Sequence, residues 1–301
     1  MNRHVTTLLL VLLIQCVITA VVMWPQPASQ TSAERPAMLD FDPTAVDSIL
    51  VGDEYDNSAL LERAGEHWRL PELGDLPADR KRVEALLGAL ARGGRDWPVA
   101  ATATARQRFR VAEYFYQRRI DLALADGSEH TVFLGTSPGF RHIHARNRAQ
   151  GAIYSILLNA FDAPATGGGW LDPHLLQIRA PLGIVSDSYS LRLENGAWVS
   201  GTGGTPDADE LELLLAALRN LQVKDLAAED LQRELAAAEA DLVLVVNSLG
   251  GEDTLELFTH GEQHYILSSR FPFFFALPGW DYDQLTAIDL GLISGQAPPR
   301  N

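Results

Sequence analysis

Cysteine is almost absent from this chain. Cys16 is the only one in 301 residues, and it lies inside an apolar run, so the remainder forms no disulfide and does no thiol chemistry. A domain of this length has enough core to fold without such staples. Lysine is nearly missing too: Lys81 and Lys224 are the only two, and arginine carries the rest of the basic charge. Positive charge as a whole is short, with 24 Lys and Arg against 39 Asp and Glu, a net charge of -15. Such a surface repels phosphate backbones, which argues against nucleic acid as a partner of the folded part.

Catalytic signatures are scarce as well. No serine-nucleophile elbow and no S-x-x-K is read here. His142 and His144 share a strand face and His130 is expected on the neighbouring strand, but no H-E-x-x-H or Cys/His spacing accompanies them. That face, flanked by Arg141, Arg146 and Arg148, reads as solvated. Gly167-Gly168-Gly169 and Gly201-Thr202-Gly203-Gly204 read as flexible turns, since neither links a strand to a helix in a phosphate-binding pattern. Acidic pairs such as Glu252-Asp253 are common enough in this composition to arise by chance. No catalytic residue, cofactor or metal site is therefore expected, and the chain reads as a non-enzyme.

What the chain does have is one long apolar stretch. Val5 to Trp24 carries no formal charge. Twenty helical residues span about 30 Å, the thickness of a hydrocarbon core. Trp24 suits an interface and Pro25 ends the helix. With Arg3 ahead of the run, residues 1–4 are expected in the cytoplasm and the bulk of the chain beyond the membrane. Cleavage near Thr31-Ser32-Ala33 is the competing reading, and a lipoprotein reading through Cys16 fails on the large Gln15 before it. Gln15 is a candidate for packing against another membrane helix. Residues 25–38 read as a linker and 294–301 as a disordered tail.

Between these ends the chain repeats itself. Asp42-Pro43 and Asp172-Pro173 are 130 residues apart, as are Trp68 and Trp198. Asp79 precedes RVEALLGAL and Asp207 precedes the similar LELLLAAL, each an acidic cap on a helix with apolar residues at helical spacing. Residues 119–135 alternate around an Asp-Gly turn, and 240–261 repeat that arrangement. Each unit is expected to hold a hairpin, a helix, a weaker second helix (104–115 and 227–238), a three-stranded meander and a short helix. The expected fold is α+β: two tandem modules, 39–169 and 170–293, of antiparallel sheet with helices on one face. Ala163 to Gly169 reads as the linker between them.

LDFDPTAVDSI (39–49), the hairpin ending in Trp68-Arg69-Leu70, the PADRKRVEALLGAL helix and the LALADGSEHTVFLG hairpin resemble the bacterial domain-of-unknown-function family 4340. The resemblance runs over essentially the whole region after the apolar run. It implies an extracytoplasmic accessory subunit of an ABC-type transport complex, anchored in a bacterial inner membrane, with permease and ATPase subunits as partners. It carries over no catalytic residue. A stand-alone glycan- or peptide-binding module is the alternative, and a hydrolase with an unrecognised site a third.

Two surfaces are candidates for binding a partner. One is the aromatic run Phe271, Phe273, Phe274, Phe275 and Trp280, where Pro272 and Pro278 interrupt any helix. The other is the one basic island, Arg106, Arg108, Arg110, Arg118 and Arg119, interleaved with aromatics and expected on an amphipathic helix.

Overall fold

A computed structural model describes Gln15 and residues 37–296. Met1–Ala37 and Met38–Asn301 are separate units. Gln15 is helical; the rest of the run Val5–Trp24, and with it the membrane span and the packing role of Gln15, lies outside the described residues. Among the described residues no helix is long and apolar enough to cross a membrane.

Packed structure begins at Met38, which is fully buried. β1 (Val46–Asp53), β2 (Ser58–Ala64), β3 (His67–Leu70) and β4 (Leu76–Pro77) form a meander. α1 (Arg80–Arg92), α2 (Ala103–Arg108), and the two-residue strands β5 (Val111–Ala112) and β6 (Phe115–Tyr116) follow. β7 (Arg118–Leu124), β8 (Glu129–Leu134), β9 (His142–Asn147) and β10 (Tyr154–Leu157) complete the first half. The second half runs β11 (Pro181–Val185), β12 (Ser190–Glu194), β13 (Ala197–Ser200), α3 (Ala208–Asn220) and α4 (Glu229–Leu235). It continues with β14 (Leu242–Ser248), β15 (Gly251–His260), β16 (Gln263–Ser268), β17 (Phe271–Leu277), α5 (Gly279–Thr286) and α6 (Leu290–Ile293).

The architecture is α+β with two large antiparallel sheets. One has eight strands in the order β10-β9-β8-β7-β1-β2-β3-β4, the other seven in the order β13-β12-β11-β14-β15-β16-β17. Read in reverse, the second order matches the first strand for strand, except that β4 has no counterpart. In each half the first strand pairs with the strand that returns after the helices, β1 with β7 and β11 with β14. Both edge strands are shielded alike, by bridges Ala100↔Ile153 beside β10 and Leu226↔Phe275 on β17.

The helices form where capping and apolar spacing agree. Asp79 accepts from the amides of Lys81 and Arg82, and Asp207 from those of Asp209 and Glu210. Val83, Leu86, Leu87 and Leu90 of α1, and Leu214 and Leu218 of α3, are buried in one continuous core with residues of both sheets.

Four expectations change. The outer faces of the sheets are not bare. On β8, Val132 and Leu134 face the main core, while Phe133 packs with Val111 and Ile153 beneath α2 and β5–β6. On β17, Phe275 faces the main core, while Phe274 packs with Leu235 of α4. Each sheet is thus covered in part on its outer face as well, while Leu50 of β1 and Val185 of β11 stay exposed. The segment 270–280, expected as a short helix, is strand over Phe271–Leu277, and in 152–161 the strand Tyr154–Leu157 precedes a 3-10 turn at Ala160–Asp162, so each second meander is four-stranded. Aromatic and β-branched residues suit a strand covered on both faces. Ala163 to Gly169 is no flexible linker: Ala163, Ala165 and Trp170 are buried. A Cβ on Gly168 would lie 1.7 Å from Asp225 Oδ1, so its lack of a side chain permits the close approach. Finally, the tail starts later than expected, because Ser294 is buried and its carbonyl accepts from Ser200 and Thr202.

Candidate functional site

Strand direction gathers three turns at one end of the first sheet. In register, Asp53 faces Arg118, Arg118 faces Leu134, and Leu157 faces His142. The turns after β1, β8 and β10 therefore share that end. They carry Tyr55, Phe140, Leu157 and Phe161, exposed by 76%, 89%, 63% and 80%. Isolated exposed apolar residues are ordinary; four large ones on neighbouring tips are not.

Local chemistry holds these tips rigidly. Asp53 Oδ1 accepts from the amides of Tyr55 (2.8 Å) and Asn57 (3.1 Å), which closes the β1–β2 turn. Asp56 takes φ 63 there. In the 135–141 loop, Ser137 Oγ donates to the carbonyls of Gly139 (2.8 Å) and His142 (2.7 Å), and Arg141 takes φ 54. Arg110, at φ 56, pairs with Glu54 and lies over Phe115 at 4.7 Å, joining the β1–β2 turn to the β5–β6 hairpin. Backbone at positive φ costs energy in a non-glycine residue and persists where its surroundings enforce it. Arg118 Nε donates to Ala163 O (3.0 Å), drawing the segment that carries Phe161 back to β7.

Beneath the tips, His144 stacks on Phe109 at 4.1 Å, and its Nδ1 lies 2.8 Å from Thr136 O. Burial lowers its pKa, with the Thr136 contact opposing. Arg146 is buried, with Nε donating to Val111 O (2.8 Å) and the guanidinium over Phe133 at 5.0 Å. Burial lowers its pKa as well. The face expected as solvated is so only in part: Arg141, His142 and Arg148 are exposed, whereas His144 and Arg146 are buried. Alternation sends His144 and Arg146 into the outer layer and Ile143 and Ala145 into the core.

The basic island divides. The helix expected over 104–115 ends at Arg108, because Arg110 turns the chain into β5. Arg108, Arg110, Arg118 and Arg119 lie toward the aromatic end, while Arg106 lies beside Gly151 near the opposite end. Arg119 pairs with Asp121, whereas Arg108 and Arg141 pair with no carboxylate among the described residues. The aromatic run 271–280 is mostly interior. Phe274 and Phe275 are buried, Phe271 and Phe273 pack against the core, and only Trp280 stands exposed, by 73%. The exposed Tyr55, Phe140 and Phe161 escaped the sequence reading because lone aromatics in separate turns show no spacing.

Gly135-Thr136-Ser137-Pro138-Gly139 does have the spacing of a nucleophile elbow, which the sequence reading passed over. It links strand to strand instead of strand to helix, and the Ser137 hydroxyl donates to two carbonyls. No group of three or more His, Cys, Asp or Glu side chains is placed to hold a metal among the described residues.

A sequence model of the family described as Domain of unknown function (DUF4340) matches residues 68–241, more than half of the chain and across the junction of the two halves. No curated protein and no solved structure matches the chain.

Proposed function

The chain belongs to the DUF4340 family, and on that premise we propose that it is a non-enzymatic, membrane-anchored accessory subunit of an ABC-type transport complex, docking a partner subunit outside the cytoplasm. The rigid aromatic end of the first sheet carries this reading. Aromatic residues and arginine dominate binding energy at protein interfaces, and preorganised side chains lose little entropy on docking. Tyr55, Phe140 and Phe161 supply such anchors, with Arg108 and Arg141 beside them for carboxylates on the partner. The apolar run Val5–Trp24 supports placement in a bacterial inner membrane with the folded part in the periplasm. The transport context rests on the family resemblance.

The test is purification of the tagged full chain from gently solubilised membranes. A permease and an ATPase are expected to copurify. Tyr55→Ser with Phe140→Ser should reduce their recovery about tenfold or more, the scale of hot-spot loss, while Trp280→Ser leaves it unchanged. Recovery of no transporter subunit with the unaltered chain would sink the proposal.

A further inference from the structure

The two halves differ most where their first strands begin. The ladder Ile120–Val132–Asn147 in the first sheet corresponds to Leu244–Leu255–Ser268 in the second. One step toward the turn, His130 therefore corresponds to Asp253. In the first half this corner is filled by the chain itself. Asn147 Nδ2 donates to Met38 O (2.9 Å), Met38 is fully buried, and the Phe41 ring lies 6.0 Å from His130. In the second half Pro173 is followed by seven residues before Pro181, where Pro43 is followed by two before Val46. In the longer segment Leu175, Leu176 and Ile178 are buried while Arg179 and Ala180 stand out to solvent, bordering a cleft of about 550 Å³.

The floor of that cleft is built. Asp253 is buried, and its carboxylate accepts from Ser268 Oγ (2.7 Å), Ser269 Oγ (3.0 Å) and Arg270 Nε (2.6 Å). This grip uses one edge of the guanidinium. The terminal nitrogens of Arg270 donate to no group among the described residues, although Arg270 lines the cleft. Arg179, also unpaired, contributes a second guanidinium from the longer segment. Leu175, Ile178 and Leu249 supply apolar surface, and Glu252 an acceptor.

We propose that this cleft is a binding site for a peptide with a free C-terminal carboxylate, a function separate from docking through the first sheet. A guanidinium held by its Nε edge presents a fixed fork to a carboxylate. The aliphatic lining suits the last side chain, and Glu252 suits a main-chain amide of the peptide. A sugar acid is the poorer fit, because no Phe, Tyr or Trp ring lines the cleft for a pyranose to stack on and His174 is the one ring in its lining.

The test is calorimetric titration of the detergent-solubilised full chain with N-acetyl-Ala-Ala-Leu, its C-terminal amide, and glucuronate. The free acid is expected to bind about tenfold more tightly than the amide, since the amide loses the charge-assisted pair. Arg179→Ala should weaken the acid about fivefold or more, and so should Arg270→Lys, which keeps a cation beside Asp253 but removes the fork. Equal affinity for acid and amide, tighter binding of glucuronate, binding unchanged in both variants, or no binding at millimolar concentration would each overturn it. Copurification of transporter subunits reports on the docking surface alone, so either proposal can fail without the other.

Discussion

The two halves share a strand order and little else at their surfaces. The first sheet ends in aromatic tips over a buried imidazole and a buried guanidinium. The same end of the second sheet carries Ser186, Asp187 and Ser188, and Tyr189 is buried beside them with a hydroxyl that has no hydrogen-bond partner among the described residues. At the opposite end the roles reverse, with the first half closed by Met38 and the second open over Asp253. A repeated topology therefore fixes where loops emerge without fixing what they recognise.

The largest effect should come from breaking the first half alone. A Cβ on Gly135 would lie 1.9 Å from Phe109 O, with Arg110 O next at 2.5 Å. Gly135→Val should cost about 3 kcal/mol or more and loosen the aromatic tips, read from the urea midpoint and amide exchange at 135–144. If exchange changes only in the second half, the tips are not held as described.

The outer layers offer the next contrast. Phe274→Ala removes a ring that meets Phe258 edge-on at 5.2 Å and should cost about 3–5 kcal/mol. In the outer layer of the first half, Arg146→Met removes the donor to the carbonyls of Val111 and Gln150 and should cost about 2–4 kcal/mol. Equal midpoints for Arg146→Met and the unaltered chain would show that the buried arginine is no pin.

The halves should also fail at opposite ends of the pH scale. His144 has a lowered pKa, so folding favours its neutral form. That stabilisation is full above its unfolded pKa of about 6.5 and is lost as pH falls through the folded value. Burial pushes the Tyr189 phenol up to about 12 from 10.0. Its contribution is full below the unfolded pKa and is lost as pH rises from 10.0 toward 12. Tyr189→Phe should flatten the alkaline decline and add about 1 kcal/mol at neutral pH, because an unpartnered hydroxyl leaves the interior. An alkaline decline of the same steepness in Tyr189→Phe would remove Tyr189 from this account. The smallest effect belongs to Trp280→Ser, expected within about 0.5 kcal/mol of the unaltered chain.

Much of this was legible in order of residues. The capped helices at Arg80 and Ala208, the alternating hairpins and the tandem repeat are local patterns, and local patterns survive in one dimension. The short helix α2 and the strand β17 were misread because propensity is weak against tertiary cover. Phe273-Phe274-Phe275 shows no alternation when both faces of its strand are packed. The basic island looked like one helix because charge spacing does not reveal a residue at positive φ such as Arg110.

By itself the sequence determined the family, the α+β class, the acidic surface, the apolar run Val5–Trp24 and the doubling of one topology. These follow from composition and from contacts between near neighbours in the chain. Tertiary structure alone brought Tyr55, Phe140 and Phe161 to one end of a sheet, drew Gly168 against Asp225, and left Arg270 facing a cleft with Asp253 behind it. Each of these depends on strand register and loop length, which join residues far apart in sequence and leave no periodic trace.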